Sequence, residues 1–246
     1  MVYTGRMKRN SSIVISYMQL RALIGLLGIL LPFLCYFWDC AFNGGTVPDS
    51  ISLHYFLNFR DIFVGVLVTV SFFLITYRGY TLLDDVTTWA IGLSGLATAL
   101  FPCENPGWTE KVSVFMLDNA VTNVVHLSAA GTFFTLLAFN SLFLFTRSKT
   151  AVVKGSRKYW RNIAYRICGA VILVPLVAMA LVTVFTSAEF RQRTKIILIL
   201  ETIMLVSFGV SWLVKGGAIM GDRNEWAGSR RKARREARRE ARRETP

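Results

Sequence analysis

The chain has 246 residues, 53% of them hydrophobic and 17% charged, with a formal net charge of +13. That charge fraction is below the quarter or so usual in soluble domains. The composition excludes an ordinary water-soluble domain, and the length leaves no room for a second folded domain beside the apolar segments.

Six apolar spans follow one another: Ala22–Trp38, Ile62–Tyr77, Val86–Cys103, Asn119–Thr146, Ile167–Ala188 and Ile196–Val214. Each approaches the ~17–25 residues that carry a helix across a bilayer's hydrocarbon core. Inside lipid every backbone N–H and C=O must find its partner within the segment, so these spans are expected to be helices. The expectation is an all-α, six-transmembrane-helix bundle over residues 1–220, with a separate basic tail over 221–246. Arg6, Lys8 and Arg9 precede the first span, which ends at Trp38-Asp39-Cys40 without a small-residue cleavage site, so it reads as uncleaved.

Charge sets the orientation. Arg21, Arg78, the Arg147–Arg166 loop with seven basic residues and no acid, Lys215 and the tail fall on the same side as the N-terminus. By the positive-inside rule both termini are expected in the cytoplasm. Arg60, Lys111, Arg191, Arg193 and Lys195 fall outside, the last three in a very short connection. Cys40 and Cys103 both lie at outer edges, where a disulfide could form in an oxidising compartment. Two free thiols are the alternative.

The connections carry turn chemistry. Asn43-Gly44-Gly45 and Pro48-Asp49-Ser50 make the first outer loop irregular, and Pro106-Gly107-Trp108 marks the second. On the inner side Asp84-Asp85 follows Tyr77-Arg78-Gly79-Tyr80, and a local salt bridge with a helix N-cap is expected there. Lys215 can extend to the inner interface. Small residues, among them Gly25, Gly28, Gly92, Gly95, Ala130, Gly131, Ser207 and Ser211, mark places where helices can approach closely.

The tail repeats Ala-Arg-Arg-Glu from Ala233. Residues 230–244 hold nine basic and three acidic side chains, a net charge of +6. Its residue types favour helix, but a short isolated helix is marginal in water. It is expected to be disordered or marginally helical and to lean on an anionic lipid surface. Without aromatic stacking residues it is not expected to bind nucleic acid.

Ionisable residues within apolar spans are costly and tend to face a bundle interior or a cavity. Asn119, Thr122, Asn123 and His126 share one helix face in the fourth span. Glu201 lies in the outer part of the sixth, and Arg60 and Asp61 open the second, with His54 upstream. Arg60, His126 and Glu201 are expected to meet in the outer half, with Asp61 and Asn123 at the margin. Three readings stay open: a cluster that satisfies itself and fixes register, a site for a lipid head group or small polar solute with Arg60 as anion fork, or a metal site using His54, His126 and a carboxylate. No phosphate loop, dinucleotide fingerprint, nucleophile elbow or zinc-protease helix appears. No cofactor is expected.

Pro48-Asp49-Ser50-Ile51-Ser52, Arg60, His126 and Glu201 resemble the pattern of the DRAM/Sfk/Frag six-helix family. The chain is also similar to uncharacterised bacterial six-span membrane proteins with an Arg-Asp-Ile-Phe-Val-Gly second span (Arg60–Gly65), a Tyr-Arg-Gly-Tyr turn and an ending like Phe208–Lys215. The resemblance covers most of residues 20–217. For eukaryotic members it implies roles in membrane lipid organisation, lipid-anchor processing or autophagy, with Arg60, His126 and Glu201 as the residues carried over. A weaker resemblance to the ceramidase and adiponectin-receptor superfamily would imply a zinc hydrolase, but that family uses three zinc-binding histidines and this chain has two.

The function expected is that of a non-enzymatic, multi-pass membrane protein, in the plasma (inner) membrane if bacterial. It would bind or sense a lipid head group or small polar ligand, or support membrane organisation, with membrane lipids as partners. A proton-linked small-solute transporter using His126 and Glu201 is the alternative, and a metal-dependent membrane hydrolase the third.

Overall fold

A computed structural model describes residues 17–105, 113, 115, 118–148 and 151–221. Within them the chain is helical throughout: α1 (Tyr17–Phe42), a 3₁₀ turn (Ser52–Phe56), α2 (Arg60–Thr76), α3 (Leu82–Leu100), α4 (Asn119–Phe139), α5 (Arg157–Phe185), α6 (Ala188–Thr194) and α7 (Ile196–Lys215). The basic tail, Arg6, Lys8, Arg9, Trp108 and Lys111 lie outside the described residues.

Four helical stretches are long and apolar enough to cross a membrane: Met18–Phe42, Ala120–Leu144, Arg157–Phe185 and Ile196–Lys215. The other two expected spans fall short for local reasons. α2 has 17 residues, a rise of about 25 Å against a hydrocarbon core of ~30 Å. α3 opens with Asp84 and Asp85 in its first turn. The exterior is apolar where these helices face outward: α1 exposes Leu26, Phe33 and Phe37, and α5 exposes Val174, Val177, Leu181 and Val184. Contiguous apolar surface of that kind marks contact with a partner or a membrane.

Helix ends follow side-chain chemistry. Thr81, rather than an aspartate, caps α3: Asp84 N–H donates to its hydroxyl while Thr81 N–H donates back to the Asp84 carboxylate, a reciprocal capping box. The expected inner salt bridge is present between Arg78 and Asp85 at 3.3 Å. Ser156 caps α5, so the helix starts ten residues before the expected span, and the second half of the basic inner loop is its first turns. At 29 residues it rises about 44 Å, well beyond the hydrocarbon core. Between α5 and α7 the chain forms α6, capped by Ser187, where the sequence suggested only a short connection. Lys195, in the left-handed region at φ 54°, turns α6 into α7.

α7 packs chiefly on α1 and α5, while α2 packs on α3 and α3 on α4. Small residues permit the closest crossing. A methyl group on Gly25 would stand 2.6 Å from the Gly209 carbonyl oxygen, so α1 and α7 meet backbone to backbone. Gly92 does the same for α3 against Ser71 of α2. Ser207 donates to the Cys168 carbonyl at 3.0 Å and the Ser141 and Ser211 hydroxyls bond at 2.8 Å, tying α7 to α5 and to the C-terminal continuation of α4. That continuation is a π-helical turn, Asn140–Leu144, in which Phe145 N–H donates to Asn140 O. Gly131, expected at a helix contact, has nothing within 4 Å of where a side chain would begin. Lys215 ends α7 with its ammonium over the rings of Phe145, Tyr80 and Tyr165, at 4.7, 5.5 and 5.9 Å.

Candidate functional site

The segment 49–56 organises the end of the bundle at which α7 begins. Asp49 O accepts from Leu198 N–H at 2.8 Å, filling one of the orphan donors in the first turn of α7. The Asp49 carboxylate takes the Lys195 ammonium at 2.7 Å. These two bonds hold the segment across α7, and the 3₁₀ turn then brings Ile51, Ser52 and His54 under it.

Glu201, on α7, accepts from Ile51 N–H at 2.5 Å and lies 3.4 Å from the Ser52 hydroxyl. The same hydroxyl lies 3.1 Å from His126 Nε2, and His126 Nδ1 donates to Phe101 O at 2.7 Å. Glu201 and His126 therefore converge, as expected, but through Ser52 and not directly. Hydrogen counting limits the states of this line. Phe101 O can only accept, so Nδ1 carries its proton. Ser52 has one hydrogen to give, and either neighbour can take it. All contacts are satisfied if one further proton is present: on Glu201 with Ser52 donating to a neutral His126, or on His126 Nε2 with Ser52 donating to the Glu201 carboxylate. Either placement of that further proton satisfies the same set of contacts.

His54 belongs to a second cluster. It is fully buried, and Nε2 lies 2.7 Å from a carboxylate oxygen of Asp39, also fully buried. Its Nδ1 donates to Ile51 O at 2.9 Å. The two clusters meet at Ile51, whose N–H serves Glu201 and whose carbonyl serves His54. The second carboxylate oxygen of Asp39 is buried without a hydrogen bond among the described residues.

The remaining sequence candidates lie elsewhere. Arg60 stands 3.6 Å from Asp61, whose side chain is 92% exposed. The hydrogen bonds on Glu201 among the described residues come from Ile51 and Ser52, and Arg60 is not among the cavity's lining residues, so the expected direct meeting of Arg60 with Glu201 and His126 is not seen there. Adjacent opposite charges at the start of α2 pair with each other at the surface, without the desolvation that a move into the bundle would require. Asn123 exchanges hydrogen bonds with Glu104: its carbonyl accepts from Glu104 N–H at 3.1 Å and its amide donates to the carboxylate at 3.3 Å. It pins α4 to the end of α3. Cys40 and Cys103 are both free, as are Cys35 and Cys168, so the bridge permitted by sequence is not formed. Both nitrogens of both histidines are engaged by protein groups, which leaves no lone pair aimed at a metal. Among the described residues no three potential ligands gather.

A cavity of about 450 Å³ borders the Glu201–Ser52–His126 line. That volume suits a small ligand. Its walls are Leu31, Phe63, Phe133, Leu176, Met179 and Leu205, with Ser50, Thr98 and Cys103 joining the polar end. Gly131 and Ala130 line it, which is the role their small side chains serve. Two residues escaped sequence reasoning. Ser52 was one polar side chain in a turn-rich stretch, and Asp39 read as the end of a span. The only available signal for Asp39 was cost: an acid at a span's end needs a partner, and His54 lay one irregular loop away. No protein-family model, curated protein or solved structure matches this chain.

Proposed function

We propose that the chain is a six-span, N-in/C-in membrane protein that binds an amphiphile in the outer-half cavity. One observation carries the reading: a ligand-sized apolar cavity ends on Glu201, Ser52 and His126. Apolar walls with a few convergent polar groups describe a site for a molecule with a hydrocarbon body and a polar end. The basic inner loop and the polar outer cluster support the orientation. The test is retention. Native mass spectrometry of protein released gently from membranes should find a co-purifying lipid on the wild type. Gly131→Leu, which projects into open space and fills the cavity, should lose it. Equal retention by both proteins would refute the reading.

A second reading is supported by the hydrogen count. A line that satisfies a further proton equally at Glu201 or at His126 could couple proton movement to a solute. Counterflow in proteoliposomes separates the two: uptake driven by a preloaded solute, abolished by Ser52→Ala, would favour transport over binding.

A further inference from the structure

We infer that the cavity takes a lipid whose head group donates hydrogen bonds, an ammonium or hydroxyl head on a hydrocarbon chain, and admits it sideways between the outer halves of α4 and α5. The inference rests on the proposed binding role and names the ligand class.

The head-group chemistry follows from the donors and acceptors at the polar end. Among the described residues no lysine or arginine lines the cavity. Lys195 is held by Asp49 and Arg60 lies beside Asp61, so neither is among its walls. Most hydrogens that face the site are spent: His126 Nδ1–H on Phe101 O, the single Ser52 hydroxyl hydrogen on either Glu201 or His126, and the Thr98 hydroxyl on Ser94 O, while Ser50, which accepts from Leu53 N–H, keeps its own. What remains is mostly accepting capacity, chiefly the lone pairs of the Glu201 carboxyl oxygens, with more on Thr98 and Ser52. A phosphate or carboxylate entering here would meet acceptors and lose its hydration without a counter-charge. An ammonium or hydroxyl would be satisfied.

The route follows from packing. In their inner halves α4 and α5 touch: a methyl on Gly169 would stand 3.1 Å from Ala138 O. In their outer halves they part. Gly131 has nothing within 4 Å of its missing side chain. Leu127 of α4 and Val184 of α5 both line the cavity, yet are 56% and 74% exposed. A wall residue that also faces outward marks a mouth, and this one opens along the apolar flank. A chain can lie in the gap while the head reaches Glu201.

The test uses full-length protein in lipid nanodiscs and photoreactive twelve-carbon probes that differ only in head group: amine, alcohol and carboxylate. Cross-linked residues are mapped by peptide mass spectrometry. The amine and alcohol probes should label α4 and α5 around the gap at least tenfold more than the carboxylate. Glu201→Gln should remove most amine labelling while the alcohol, still able to donate to the amide carbonyl, keeps its own. Equal labelling by the carboxylate overturns the head-group assignment and leaves the binding role standing. Displacement of the amine probe by an equal concentration of methylamine would show a free solute as the occupant and overturn the lipid. Labelling that avoids the cavity with every probe, or that Gly131→Leu leaves unchanged, defeats the binding role itself.

Discussion

Ser52 owns one hydroxyl hydrogen and stands between two groups that can each accept it. Ser52→Ala should therefore cost little in stability, about 1 kcal/mol for one lost hydrogen bond, yet break communication between Glu201 and His126. Thermal unfolding in detergent beside ligand retention separates these effects. A large fall in melting temperature would show that the serine is a structural tie instead. The Asp39–His54 pair should behave oppositely. Both groups are fully buried, so Asp39→Ala leaves His54 facing a void and should destabilise by ~3–5 kcal/mol. Near-wild-type melting of that variant would contradict a stabilising role for this buried hydrogen bond. The sequence made His126 and Glu201 legible because a polar group in an apolar span must be answered by something. It could not name the answer. Arg60 looked closest in depth, but its immediate neighbour Asp61 engages it at the surface, and a loop serine took the place assigned to it.

At the scale of elements, small residues serve two purposes that sequence does not distinguish. Gly25 lets α1 and α7 meet backbone to backbone, whereas Gly131 borders empty space. Gly25→Leu should abolish assembly, since the added side chain would meet main chain that cannot yield. Gly131→Leu should preserve or raise the melting temperature, because glycine is the poorer helix former by roughly 1 kcal/mol. Comparable melting of the two variants would contradict this packing. The helices themselves were largely legible, since apolar length announces them. Their ends were not. Ser156 starts α5 within a basic stretch that reads as loop, and Ser187 begins α6 within what reads as a connection. Capping is decided by single hydroxyls, and hydropathy does not register them.

For the whole molecule, the four long apolar helices are joined by a shorter α2 and a more polar α3 that pack on each other. The proposed six crossings place positions 78 and 230 on the cytoplasmic side. A variant with the four native cysteines replaced and Arg230→Cys should resist membrane-impermeant thiol reagents in intact cells and react after lysis. Labelling in intact cells would overturn the orientation. The account as a whole turns on an occupied outer cavity. A cryo-electron microscopy map of the protein in nanodiscs, made large enough to align by a rigid antibody fragment, tests it most directly. The account predicts elongated density with one end within hydrogen-bonding reach of Glu201 and the other leaving between α4 and α5 near Leu127 and Val184. A map in which α4 and α5 close on each other over Gly131, with no density between them, would contradict it.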